Sequence, residues 1–228
     1  MRAPPLITGE YYHVFDRGVS RETIFLDEFD YRRFYESLFL FNNTNYEHPG
    51  GRGLDRDVLL AAHEAYLHDR DPYVKISSFC LIPNHFHLMI QPLKEDGAAK
   101  FFHKLLKGYA RYFNLRHGRS GHLFENAYQA VHIENEAHFV HIPRYIHLNA
   151  LDTTDLNWRD GQMTDWAKAS NYLESYRWSS HGIYSGKDQE LPVIDEEIVA
   201  QLFSDPSEYE KFLKDWSGRY ILKVPVTE

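Results

Sequence analysis

Tyr73–Ile82 (YVKISSFCLI) and His85–Gln91 (HFHLMIQ) are two apolar, β-branched and aromatic runs separated only by Pro83-Asn84. Such runs favour strands, and Pro-Asn is a turn signal. So short a connection predicts an antiparallel hairpin. Within the second run, residues two apart leave the same face of a strand. The imidazoles of His85 and His87 therefore share one side of a sheet, and Phe86 points to the other.

The flanking sequence extends the hairpin into a domain. Gly9–Arg17 (GEYYHVFDR) reads as a strand closed by Arg17-Gly18. Asp27 or Asp30 caps a helix in which Tyr31, Phe34, Leu38 and Phe41 recur at helical spacing. Gly97–His117 is a long helix with Phe101, Leu105, Tyr109, Tyr112 and Phe113 on its apolar stripe, stopped by Gly118. Leu123–Ile133 reads as a fourth strand and Glu136–Leu151 as a further helix. Pro143 inside that helix either restarts or kinks it. The order β-α-β-β-α-β-α predicts an α+β fold: a ferredoxin-like split β-α-β with an antiparallel sheet and helices on one face. Residues 42–71 read as an insertion at the domain edge, with a short helix around 58–67. The expected division is a domain over residues 1–152 and an acidic C-terminal extension over 153–228. In the extension, Arg177–Tyr184 reads as an ordered return segment and Asp195–Trp216 as a helical stretch.

Composition narrows the class. The chain has 228 residues, 43% of them hydrophobic, which suits a globular protein. Its single cysteine, Cys80, excludes an internal disulfide framework and a cysteine-rich zinc module. No apolar run is long enough for a membrane span, and the first residues do not read as a secretory signal, so a cytoplasmic protein is expected. Net charge is −8, which argues against a nucleic-acid partner. The distribution reverses that inference. From Leu151 onward there are 8 basic and 15 acidic residues, whereas Gly97–His147 holds 7 basic and 3 acidic ones.

The candidate chemistry rests on two pairs. His85 and His87 on a rigid strand form half of a divalent metal site, or simply a solvated face. Tyr145 and Asn149 stand four apart and share a helix face. The Asn149 amide oxygen could complete a metal site, with the Tyr145 hydroxyl beside it. The bland alternative is a core tyrosine and a helix-end asparagine. Each pair alone is a weak signal.

The ordered set is more specific. It runs Arg17-Gly18, Pro83-Asn84-His85-Phe86-His87-Leu88, Tyr112-Phe113-Asn114, Arg119-Ser120-Gly121-His122-Leu123-Phe124, and Tyr145-Ile146-His147-Leu148-Asn149. In this order it resembles the REP-associated tyrosine transposases, part of the single-tyrosine HUH group related to insertion-sequence enzymes. The resemblance spans about Tyr11 to Leu151, with Trp178-Ser179-Ser180 beyond. It implies a ferredoxin-like fold, His85 and His87 as metal ligands, Asn149 as the third ligand, and Tyr145 as nucleophile. It also implies magnesium or manganese as the metal, and single-stranded DNA, often a hairpin, as substrate. The implied reaction is cleavage and rejoining through a 5′-phosphotyrosine. The chain departs from the family's usual pattern at Asp16, at Glu125 after Phe124, and at Ala150-Leu151-Asp152.

That chemistry is self-consistent. A divalent cation neutralises a non-bridging phosphate oxygen, and three uncharged ligands leave its charge available. A tyrosine, with an ordinary pKa of roughly 10, needs help to lose its proton. The expected DNA contacts are Arg17, Lys104, Lys107, Arg111, Arg116, Arg119 and His122. The spare histidines, His13 and His147 among them, read as surface or supporting groups. Two other functions fit the same residues: a non-catalytic DNA-hairpin-binding protein, and a hydrolase using a His-His-Asn metal with water as nucleophile. The extension could cover a sheet edge or block the site as an acidic mimic of DNA. Oligomeric state stays open between monomer and homodimer.

Overall fold

A computed structural model describes residues 5–46, 70–159, 163, 165–203 and 205–215. Most of the expected insertion, including its short helix, lies outside the described residues. Four strands form one antiparallel sheet: β1 Tyr12–Arg17, β2 Val74–Ile82, β3 His85–Pro92 and β4 Gln129–His132. Their spatial order is β2-β3-β1-β4. With α1 Glu28–Phe41 after β1 and α2 Gly97–Arg116 after β3, this is the ferredoxin-like topology. Asp27 caps α1, accepting from the backbone N–H groups of Phe29 and Asp30 at 3.0 and 3.2 Å. Gly118 follows α2 with φ +61°, a conformation that favours glycine.

The sheet is covered on both faces, which corrects the one-sided arrangement. Phe86, Leu88 and Ile90 pack with Phe34, Leu38, Phe101, Leu105 and Tyr109 of α1 and α2. Cys80, Ile82 and Met89 face the opposite way. There they meet Ile142, Ile146 and Leu148 of α3 Glu136–Leu148, together with Trp158, Tyr209 and Leu213. The cause lies in β3, where Phe86 through Ile90 are all buried. A strand without polar alternation needs a cover on each side.

The C-terminal residues supply part of that second cover. They form α4 Trp166–Ser175, α5 His181–Tyr184, α6 Glu196–Leu202 and α7 Pro206–Lys214. The single helical stretch expected over 195–216 is thus two helices, each with its own aspartate cap, Asp195 and Asp205. Pro206 suits a first turn and not a helix interior. The same region shields the edge strand β2. Leu81 N–H donates to Trp178 O at 2.8 Å, Ser180 N–H to Phe79 O at 3.0 Å, and Asp195 N–H to Ile76 O at 2.8 Å. An edge left open would present unpaired backbone to another chain.

The fourth strand is shorter than its sequence suggests. Leu123 O and Glu125 N–H pair with Val19 and Arg17 at 2.9 Å, and Gln129–His132 then pair with Tyr12–Phe15. Between them Asn126 bonds the buried carboxylate of Asp16 and breaks the ladder. Helix α3 is continuous across Pro143, which is buried in it. It ends at Leu148 and tightens into a 3-10 turn over Asn149–Thr153.

Gly18 is fixed by space. A Cβ there would lie 2.1 Å from Glu22 O and 2.8 Å from a methyl of Ile24. Gly18→Ala is expected to cost about 1–3 kcal/mol through overpacking against backbone. Urea unfolding measures this, and an unchanged midpoint would contradict the packing described.

Candidate active site

The period of β3 delivers His85 and His87 to the second face, and α3 lays Tyr145 across them. Ring centroids are 4.9 Å apart for His85 and His87, 5.8 Å for His87 and Tyr145, and 5.7 Å for His13 and Tyr145. Cross-strand register sets Arg17 opposite His85 and Phe15 opposite His87. Asn149, one turn after Tyr145, is fully buried, and its Nδ2 donates to Tyr145 O at 2.6 Å. His85, His87 and Tyr145 therefore meet between β3 and α3, and Asn149 lies on the turn that follows the helix.

Burial sets the electrostatics. His87 is held well below the ordinary imidazole value, first by burial, then by His85, His13 and Arg159. Burial likewise lowers His85 to about 4; Asp152 opposes this, and Arg159 and Arg17 add to it. Both rings are neutral at pH 7, the state a metal ligand requires. His87 Nδ1 is 2.9 Å from His13 Nε2, while His87 Nε2 is buried with no hydrogen-bond partner. When Nδ1 carries the proton, Nε2 offers a lone pair and His13 fixes the ring, as an outer partner does for a ligating histidine. The orphaned nitrogen, the neutral second imidazole and the Asn149 carboxamide are donor types that suit a divalent cation. Among the described residues, no three His, Cys, Asp or Glu side chains form a metal-binding set.

Residues 59–149 match the family model described as "Transposase IS200 like". That segment includes β2, β3, α2, β4 and α3, and with them His85, His87, Tyr145 and Asn149. No curated protein matches the chain. A solved structure of a REP-associated tyrosine transposase bound to a REP hairpin is similar, with a TM-score of 0.47 and 12% identity over 86% of this chain and 93% of that one.

The expected DNA contacts divide into groups. Arg17 pairs with Glu125 at 2.6 Å, on the same face as His85. Arg116 grips Asp27 and Asp30 at 2.6–2.7 Å and so fastens α2 to the start of α1. Arg119 pairs with Glu22. Lys104 donates to Tyr73 Oη at 3.1 Å. Lys107 and Arg111 are exposed along α2. That helix packs on the first face of the sheet, away from Tyr145. His122 is exposed, its carbonyl taken by Arg119 at 3.3 Å. The sequence thus grouped residues that the fold distributes over both faces.

Two residues beside the site escaped the sequence reading. His13 was grouped with the spare histidines, yet it is fully buried against His87. Its place two residues after Tyr11, on the strand next to β3, carried the signal. Arg159 lies ten residues past Asn149 with no motif around it, yet its Nη2 donates to Asn149 Oδ1 at 3.0 Å.

The buried histidines predict acid sensitivity. Burial lowers His13 to about 3, His181 and His85 to about 4, and His147 and His87 well below the ordinary imidazole value. Unfolded, all five titrate near 6.5. The unfolded chain therefore binds more protons below that pH, and stability falls as pH drops from about 6.5 toward 4. Asp16, raised by burial to about 7, works in the opposite sense as one group against five. In metal-free buffer the urea midpoint is expected to fall steadily from pH 7 to 4.5. A flat or rising midpoint would contradict neutral burial of these rings.

Proposed function

We propose that this chain cleaves and rejoins single-stranded DNA through Tyr145. The observation that carries the reading is the pairing of Tyr145 with His87. The buried Tyr145 hydroxyl interacts only loosely with the Arg159 guanidinium, and its ring lies 5.8 Å from that of His87, whose Nε2 is unpartnered. A buried polar atom left without a partner, as His87 Nε2 is, is costly unless a ligand completes it.

In this reading the Tyr145 oxygen attacks a backbone phosphorus. A phosphorus–oxygen bond to tyrosine forms as the bond to the 3′-oxygen breaks. The phenol proton leaves to solvent or a base, and the departing 3′-oxygen takes up a proton. The 5′ end stays on Tyr145 as a phosphotyrosine. One phosphodiester replaces another, so a second 3′-hydroxyl can reverse the step without an energy source. His85, His87 and Asn149 would hold magnesium or manganese, which when bound would supply positive charge to a non-bridging oxygen. His13 fixes the ring of His87, and α3 fixes Tyr145. Arg17, opposite His85, meets the phosphate nearest the site. Lys107 and Arg111 on the far face of the sheet can hold only DNA that extends beyond it, as a hairpin stem does.

The test is a covalent-adduct assay with labelled hairpin DNA from the flanks of the chain's own gene. Wild type with magnesium or manganese is expected to give a denaturation-resistant protein–DNA band. Tyr145→Phe or chelator is expected to abolish it while hairpin binding persists. Binding without any adduct in wild type would replace this reading with that of a non-catalytic hairpin-binding protein.

A further inference from the structure

Asn149 Oδ1, the oxygen assigned to the cation in the reading above, is already held by a cation of the chain itself. Arg159 donates to it at 3.0 Å. The amide group of Asn149 cannot turn that oxygen elsewhere without losing the Nδ2 bond to Tyr145 O. Arg159 is in turn anchored. Its Nε lies 3.2 Å from Asp152 Oδ1, its Nη2 bonds Asp152 Oδ2, and its guanidinium sits 4.6 Å from the Trp158 ring centroid. Trp158 Nε1 donates to Asp152 Oδ1 at 2.7 Å, which fixes the carboxylate. The guanidinium lies 5.9 Å from the Tyr145 ring centroid and adds its charge to the field at both His85 and His87.

We propose that Arg159 is an internal stand-in for the divalent cation. It holds Asn149 Oδ1 while the site is empty of metal, and it leaves when metal binds. The oxygen has two lone pairs, so the hydrogen bond alone would not exclude a second partner. The charge does. A guanidinium and a divalent ion on one buried oxygen repel strongly where water cannot screen them. The route out is open, because the Arg159 side chain is 40% exposed while Asn149 is fully buried. Asp152 stays behind on the turn that follows α3 and can keep the displaced arginine nearby. Both residues lie beyond the segment that matches the family. The arrangement keeps Asn149 and Tyr145 aligned without metal, and it makes metal affinity the quantity that Arg159 sets.

The inference rests on the cation site of the proposed function, so its test reads metal binding and not strand transfer. Mn2+ is titrated by electron paramagnetic resonance into DNA-free wild type, Arg159→Gln, Arg159→Lys, Asn149→Ala and the Asn149→Ala/Arg159→Gln pair. Urea midpoints check that each variant is folded. Arg159→Gln is expected to tighten Mn2+ binding at least tenfold, and Arg159→Lys to fall between it and wild type. In the Asn149→Ala background the effect of Arg159→Gln is expected to shrink to less than half in logarithmic terms. Equal or weaker binding in Arg159→Gln overturns the inference and leaves the strand-transfer reading standing. The same gain with and without Asn149 also overturns it, since the effect is then general charge. No Mn2+ binding in any variant overturns both this inference and the cation half of the reading. The Tyr145 adduct then decides the nucleophile separately.

Discussion

Strand β3 is buried on both faces, and its period of two sorts its side chains between two cores. Phe86, Leu88 and Ile90 anchor the sheet to α1 and α2. His85 and His87 are carried to the other side with Met89. Slipping the register by one residue would send the histidines into the aromatic core and the phenylalanine into the site. The hairpin turn at Pro83-Asn84, the eight pairs of the ladder to β2 and the six of the ladder to β1 prevent that slip. The geometry of the site is thus a consequence of core packing, and the imidazoles need no loop to aim them.

The opposite wall is built differently. Helix α3 packs on β2 and β3 through Ile142, Ile146 and Leu148, and contacts from the C-terminal residues hold it from behind. Arg144 donates to Phe212 O at 2.6 Å and packs over the Phe212 ring at 3.9 Å. His147 is buried between Tyr209 Oη and Ser180 Oγ, and that serine also receives the N–H of Phe79 on β2. One polar chain therefore ties the tyrosine helix, the last helix and the edge strand together. Buried networks of this kind rigidify only when each member is satisfied. The residues after 152 position Tyr145 from behind, and they close the sheet edge as well. Among the described residues, no helix is long and apolar enough to cross a membrane.

Much of this was legible in the sequence, for physical reasons that can be named. The hairpin, the two long helices and the split β-α-β order follow from strong periodicity, and the structure keeps them within a few residues. The periods of a strand and a helix put His85 with His87 and Tyr145 with Asn149; that the two pairs belong to one site was implied only by the family resemblance. What the sequence hid was long-range. Nothing local says that Arg116 answers Asp27 and Asp30, 86 to 89 residues away, or that Arg119 answers Glu22. A count of basic residues therefore overstated the surface free for DNA. The two-sided sheet was hidden because its second cover comes from a loosely patterned C-terminal region. Asp152, a departure from the family's pattern, makes sense only with Arg159 beside it.

The central claim is that the sheet and α3 bring one tyrosine, among sixteen, to a neutral histidine pair for covalent attack on DNA. Peptide mapping by mass spectrometry of the protein trapped on hairpin DNA tests this most directly. The account predicts a nucleotide 5′-phosphate on the peptide containing Tyr145 and on no other. The same mass on a different tyrosine peptide, with Tyr145 unmodified, would contradict it.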